Sequence, residues 1–357
     1  MPDIQPADVQ SALAEIQDPE TGRKISHTGQ LGEISIDGST LNVNVELTSH
    51  SAVLWDETRE TTAALLRHKF PDLKTVNVNI TEHHRPAEKL GQIGITAKSV
   101  IAVGSGKGGV GKSTIAASLA LGLQRAGSKV GLMDADVYGP SIPHLLGVAG
   151  RPEIVENRIQ PIIKDGLPVM SIGFLVPAGD AVIWRGPMLH QPVTQFLRDV
   201  NWGDLDYLII DMPPGTGDIA LTLSQLLPVT GAVVVCTPQH VALLDAVKAI
   251  AMFGKVNIPV AGMIENMSGF VCPDCDKRYD IFGSGGAKGA AEQANIPFLG
   301  DVPIHMSVRT SGDAGQAGAV FDEEATRPYF EKICYQLVKN MSQTAQEAPP
   351  LPSLNVL

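Results

Sequence analysis

The chain is poor in the residues that mark secreted, membrane-spanning or nucleic-acid-binding proteins. Cysteine occurs 4 times in 357 residues, too few for a disulfide framework, so a reducing compartment is expected. No run approaches the roughly 18 uncharged apolar residues that a membrane helix needs. No basic block offsets the net charge of -11, which excludes nucleic acid and anionic membrane as main partners. The opening "MPDIQPADVQSALAEIQ" has no basic stretch followed by an apolar one, so no secretory signal is expected and a cytoplasmic protein is. A hydrophobic fraction of 44% with only 18% charged residues is that of a globular protein. The length allows two domains.

Residues 1–82 read as a small α+β domain. "PADVQSALAEIQ" has helical spacing, and "QLGEISIDGSTLNVNVELTS" alternates on both sides of a "DG" turn. "VLWDETRETTAALLRHKF" returns to helical periodicity, and "TVNVNIT" alternates as a third strand. Residues 83–98 have neither period, carry Pro and Gly, and read as a linker with His83 and His84 solvated at its head. From Ser99 to Asn340, short apolar runs alternate with helices: "SVIAVGS", "KVGLMDAD", "YLIIDMP", "GAVVVCTP" and "VAGMIENM". Such runs suit parallel strands covered on both faces, which predicts a doubly wound, mostly parallel α/β sheet. Residues 341–357, rich in Pro, Ser and Gln, read as a disordered tail.

The second domain opens on "SGKGGVGKST", residues 105–114, directly after an apolar run. This fits the phosphate-binding pattern G-x-x-x-x-G-K-[ST]. Gly106, Gly108, Gly109 and Gly111 let backbone amides face a phosphate, Lys112 supplies a point charge to the β- and γ-phosphates, and Ser113 offers a hydroxyl to Mg²⁺. "KSTIAASLALGLQRAG" follows as a helix with its N-terminus toward the phosphates. The whole stretch Gly106–Thr114, including Val110 and Thr114, is the candidate nucleotide loop. Hydrolysis also needs a carboxylate near the Mg²⁺ at the end of a neighbouring strand. Asp211 in "LIIDMPPGTGD" and Asp134 and Asp136 in "GLMDADVYGPS" are the candidates.

The loop carries a second lysine, Lys107. "GKGGVGKST" resembles the deviant Walker A motif of the ArsA/MinD-type ATPases, and that resemblance implies that Lys107 reaches the nucleotide of the facing subunit in a dimer. It also implies Asp136 as the residue that orients water, Asp211 as the Walker B carboxylate and Asn266 as an adenine contact.

Cys272 and Cys275 form a C-x-x-C pair in "NMSGFVCPDCDKRYDIFG". Two thiolates are half of a four-sulfur site, and a homodimer would bring four together at its two-fold axis. Thiolates suit both a [4Fe–4S] cluster and zinc, so softness leaves both open. A thioredoxin-like pair would open a helix after a strand, whereas this one leads into another glycine loop. Cys236 and Cys334 lie in apolar strand and helix patterns and read as core.

The order small α+β domain, deviant Walker A, "DADVYGPS", "WRGP" (Trp184 to Pro187), "DMPPGTGD", "ENMS" and "CPDC" resembles the Mrp/ApbC-type iron–sulfur cluster carrier ATPases over residues 5–340. That family implies an ATP- and Mg²⁺-dependent homodimer that holds an iron–sulfur cluster, [4Fe–4S] in the expected form, on the paired cysteines and passes it to apo iron–sulfur proteins. The front domain resembles the SufT-type assembly domain, with "DPETGRKI" at the family's Asp-Pro-Glu position. It departs from many such domains in having no cysteine in "TSHSAVLWDE". The rival readings are a zinc-bridged dimeric ATPase switch, a MinD-like positioning ATPase, and a metal-insertion GTPase. The tail "APPLPSLNVL" lacks the basic amphipathic helix that membrane positioning needs. "ENMS" stands where a guanine-reading motif would have a lysine and an aspartate.

Overall fold

The computed structural model describes residues 4–347 apart from Tyr138, residues 176–185, Thr216, Pro273 and Asp276. Trp184 and Arg185 of "WRGP" and the tail from 348 onward lie outside the described residues. The chain divides into two compact units, residues 1–85 with 338–357, and residues 86–337.

In the first unit, α1 (Pro6–Leu13) starts with proline, whose fixed φ suits the first helical turn. Strands β1 (Leu31–Asp37) and β2 (Thr40–Leu47) form an antiparallel hairpin closed by the Asp37–Thr40 pair. Helix α2 (Trp55–Lys69) then carries the chain across to β3 (Thr75–Glu82), which pairs parallel to β2. The alternation in β2 sets its faces: Leu41, Val43, Val45 and Leu47 are buried against Leu13, Ile25 and Leu66. Each such side chain contributes about 1.5–3 kcal/mol by leaving water. On the other face, Asn77 donates to Asn42 at 2.8 Å and Asn79 to Asn44 at 3.1 Å, so the amides pair across the parallel strands.

Asp18, in "DPETGRKI", is fully buried. Burial pushes its carboxyl up, but hydrogen bonds from Thr21 and Gln30 and the charge of Arg85 outweigh this and hold it below the usual carboxylate range. Arg85 Nη1 lies 2.9 Å from Asp18 and 3.3 Å from Glu20. His83 is not simply solvated: its Nδ1 lies 3.1 Å from Glu46.

The second unit is built on parallel strands. Its elements are β4 (Lys89–Leu90), β5 (Ile95–Gly104), α3 (Lys112–Arg125), β6 (Val130–Asp134), α4 (Ile142–Leu146), β7 (Ile154–Val155), β8 (Arg158–Ile159), β9 (Ile162–Lys164) and β10 (Leu167–Ser171). They continue with α5 (Gly186–Asp199), β11 (Leu205–Asp211), α6 (Gly217–Leu226), β12 (Gly231–Cys236), α7 (His240–Lys255), β13 (Val260–Val271), β14 (Arg278–Tyr279), α8 (Gly286–Ala294), β15 (Phe298–Ile304) and α9 (Met306–Asp313), while α10 (Arg327–Glu347) begins in this unit and ends in the first. The parallel strands lie in the order β10, β6, β11, β5, β12, β13, β15. Residues of β5, β6, β11 and β12 are buried almost without interruption, as expected where helices cover both faces. The doubly wound α/β fold anticipated from the apolar runs is therefore present. The order reverses beside β5, and a crevice at the carboxyl ends of the strands is where such sheets bind ligands.

Two boundaries differ from the sequence reading. The stretch taken as a linker to residue 98 already contains β4 and the start of β5, paired antiparallel through Lys89–Thr96 and Leu90–Ile95. The signal is short: only Ile95 and Ala97 are buried, alternating with Thr96 and Lys98. At the other end, α10 runs on to Glu347 instead of stopping at Asn340. "MSQTAQE" holds neither glycine nor proline, and the first proline comes at 349. Lys339 Nζ also lies 2.7 Å from Glu57 within the first unit.

Candidate functional site

The site is assembled from strand ends that the sheet register brings together. Asp211 ends β11 and pairs in register with Asp134, the end of β6, and with Val103 of β5, just before the phosphate loop. Residues a hundred or so apart in sequence thus become neighbours because parallel strands share one carboxyl end. The loops are stitched as well: Ala135 N donates to Asp211 O at 2.8 Å, and Gly215 N donates to Ser105 O at 3.1 Å.

The two lysines of the loop have different surroundings. Lys112 opens α3 and is 6% exposed. Its Nζ lies 2.6 Å from Asp211 Oδ1, 3.4 Å from Asp136 Oδ2 and 3.2 Å from Ser113 Oγ. Lys107 is half-buried, and among the described residues no carboxylate pairs with it. Lys112 is locked into its own site, whereas no described carboxylate neutralises Lys107.

Asp211 is fully buried, and among the described residues its Oδ2 has no hydrogen-bond partner. Burial pushes its carboxyl up, against the charge of Lys112 and the Ser113 hydroxyl, which pull it down. Asp134 is pushed up to about 8, first by burial and then by the charge of Asp211. Its oxygens accept from Asp136 N at 3.0 Å, Ile142 N at 3.3 Å and Ser171 Oγ at 2.9 Å. Asp134 therefore anchors the turn that carries Asp136, a structural task that the sequence leaves unresolved. The unpartnered Asp211 Oδ2, Asp136 and the Ser113 hydroxyl are hard oxygen donors, the set that fits Mg²⁺.

Glycine at 106 is required by a close approach. A Cβ there would lie 2.1 Å from the Asp245 carbonyl oxygen in α7. Gly106→Ala is expected to displace the loop from α7 and destabilise the protein by about 1–3 kcal/mol. Thermal melting and ATP titration of that variant against Gly108→Ala, where the nearest atom is 3.9 Å away, check it.

Asn266, on β13, is nearly buried, and its Nδ2 donates to Val110 O at 2.9 Å. It therefore touches the phosphate loop itself. Glu265 beside it is fully buried and accepts from Gly285 N, Ala287 N and Ser268 Oγ, each at 2.7 Å. It satisfies the first amides of α8 from a neighbouring strand. The sequence reading passed over Glu265, although one acid in the apolar run "VAGMIENM" is itself a signal.

Cys272 and Cys275 sit in the turn of the hairpin that β13 forms with β14. The pairs Phe270–Tyr279 and Val271–Arg278 align it, and Cys272 N donates to Lys277 O at 3.0 Å. Cys275 is exposed and Cys272 half-buried. Among the described residues no group of three or more His, Cys, Asp or Glu could hold a metal ion. Cys236 and Cys334 are buried in the core, and burial pushes both thiols up to about 12.

A family model described as "NUBPL iron-transfer P-loop NTPase" matches residues 96–341, and one described as "Iron-sulfur cluster assembly protein" matches residues 6–80. The chain belongs to the NUBPL-type iron-transfer P-loop NTPases. It is 43% identical over 350 residues to the iron-sulfur cluster carrier protein of Deinococcus radiodurans, covering 95% of this chain and 98% of that one. Identity to the iron-sulfur cluster carrier protein of Escherichia coli K12 is 45% over 349 residues, covering 96% and 92%. A nucleotide-binding protein from Archaeoglobus fulgidus, solved in complex with ADP, superposes with a TM-score of 0.56 at 41% identity, covering 62% of this chain and 88% of that one. The Mg-ADP complex of MinD from Pyrococcus horikoshii superposes with a TM-score of 0.50 at 20% identity, covering 67% and 95%, which shows the shared fold alone. The resemblance read from the order of motifs is thereby borne out. Among the described residues no helix is long and apolar enough to cross a membrane.

Proposed function

We propose that this member of the family is an ATP-dependent iron–sulfur cluster carrier that works as a homodimer in the cytoplasm and delivers its cargo to apo iron–sulfur proteins. The observation that carries the reading is the contrast between the two lysines, Lys112 held among Asp211, Asp136 and Ser113, and Lys107 paired with no carboxylate among the described residues.

In this reading the amides of Gly106–Thr114 and Lys112 hold the β- and γ-phosphates of ATP, and Ser113 with Asp211 would hold Mg²⁺, which offsets phosphate charge when bound. Asp136 orients the water that attacks the γ-phosphorus as the bridging P–O bond breaks, giving ADP and phosphate. Asn266 offers its Oδ1 to the adenine while its Nδ2 stays on the Val110 carbonyl. Lys107 reaches the nucleotide of the partner subunit. Cys272 and Cys275 offer two thiolates, and a second copy offers the other two, enough for one [4Fe–4S] cluster. The surface supports pairing: Val241, Leu244 and Val247 on α7 are exposed, as are Tyr279, Ile281 and Phe282 just after the cysteines. Exposed apolar patches of this kind mark interaction sites.

Anaerobic reconstitution with iron and sulfide, followed by iron counting, sizing and incubation with an apo iron–sulfur protein, tests the proposal. The expected product is a dimer with about four irons per two chains, which transfers them to the acceptor. Cys272→Ser should lose most of the iron. Retention of the full iron content by that variant, or one zinc per two chains in protein purified without oxygen, would refute the cluster assignment.

A further inference from the structure

The contact between Asn266 and the phosphate loop and the cysteine hairpin lie on the same strand, six residues apart. Between them β13 is not regular. Met267 has a φ of 59°, a left-handed backbone that a methionine rarely adopts. The pairing of β13 with β15 shifts register between Asn266 and Phe270. Such a break re-aims the strand and is found beside functional sites.

A chain of polar contacts bridges this break. Glu265 Oε1 accepts from Ser268 Oγ at 2.7 Å. Arg278, on β14, donates from Nη2 to Ser268 O at 3.1 Å and to Ser268 Oγ at 3.4 Å, while its Nε lies 3.2 Å from Asp280. A Cβ at residue 269 would lie 2.7 Å from Arg278 Nε, so the guanidinium packs directly on the Gly269 backbone. Glu265 is held in turn by the amides of Gly285 and Ala287 at the start of α8. The hairpin that carries the cysteines is thus clamped to the strand just beyond the residue that touches Val110.

We infer that β13 is the coupling element between nucleotide and cysteine pair, with Asn266 taking up movement of the Val110 carbonyl and Arg278 as the positioning residue that passes it to the hairpin. This rests on the reading that the phosphate loop binds ATP and that Cys272 and Cys275 are the working thiols. The bulge at Met267–Gly269 supplies the bend, and Glu265 with α8 supplies the fixed point against which the hairpin turns. By reciprocity, whatever engages the cysteines changes nucleotide affinity by the same factor as nucleotide changes their engagement.

The test uses the full-length, metal-free chain and N-ethylmaleimide as the probe, so it does not depend on cluster loading. Alkylation rates of Cys272 and Cys275 are measured by peptide mass spectrometry with and without ATP and Mg²⁺. The parent is expected to change its rate by about fivefold or more on adding nucleotide. Arg278→Gln should bring that ratio close to one while ATP affinity stays at the parent value. Ser268→Ala, a smaller change that leaves the bond from Arg278 to the Ser268 carbonyl in place, should give an intermediate ratio. An unchanged ratio in Arg278→Gln would overturn the inference, because simple burial of the thiols at a subunit contact would then explain the protection. A parent that shows no ratio would overturn it too. Loss of the carrier reading would look different: the coupling would persist in a chain that binds no iron.

Discussion

Lys112→Ala lowers ATP hydrolysis by about two to three orders of magnitude, the cost of removing one preorganised positive group from a phosphoryl-transfer site. The ammonium lies between Asp211 at 2.6 Å and Asp136 at 3.4 Å, 6% exposed, at the first turn of α3. Removing it takes away the charge that faces the γ-phosphate. It also leaves Asp211 fully buried without its cation, and a carboxyl already pushed up by burial moves higher still. A carboxyl that holds its proton more tightly is a poorer ligand for Mg²⁺. Steady-state phosphate release and Mg²⁺-dependent nucleotide affinity should therefore fall together. Arginine at this position should not rescue, since its planar fork does not fit a point-charge position between two carboxylates.

Lys107→Ala is expected to give a comparable loss of hydrolysis by a different route. No carboxylate among the described residues holds this side chain, so its removal should leave folding and single-chain nucleotide binding close to those of the parent. What it should remove is the ATP-dependent dimer, seen as a monomer in sizing experiments with ATP and Mg²⁺ present. The two variants thus separate by binding: Lys112→Ala loses affinity, whereas Lys107→Ala keeps it.

Much of this was legible in the sequence because the chemistry sits in contiguous segments. Glycines, Lys112 and Ser113 lie within ten residues, and the buried strands announce themselves as apolar runs. The contacts that organise the site were not legible, because they cross the sheet. That Asp134 and Asp211 are register partners follows from strand order, which periodicity does not encode. The same holds for Asp245, whose backbone forces glycine at 106, and for the hydrogen bond from Asn266 to Val110. The lone acid Glu265 in an apolar run signals a buried partner without naming it, and its partners, the amides at the start of α8, are known only from the fold. At the boundaries the reading failed for local reasons. A two-residue strand, β4, carries too little pattern to be seen, and a polar tail without glycine or proline can continue a helix.

Complementation between two inactive variants tests the shared site most directly. Lys107→Ala lacks the side chain donated to a partner, and Asp136→Asn lacks the water-orienting carboxylate within its own chain. Each alone should hydrolyse ATP at the background rate. In a mixed dimer, the site on the Lys107→Ala chain has its own Asp136 and receives Lys107 from the other chain. Each mixed dimer holds one complete site bridged by one Lys107, so an equimolar mixture should hydrolyse ATP well above the background of either variant, up to about half the parent activity. A mixture no more active than either variant by itself would contradict a site shared between two chains.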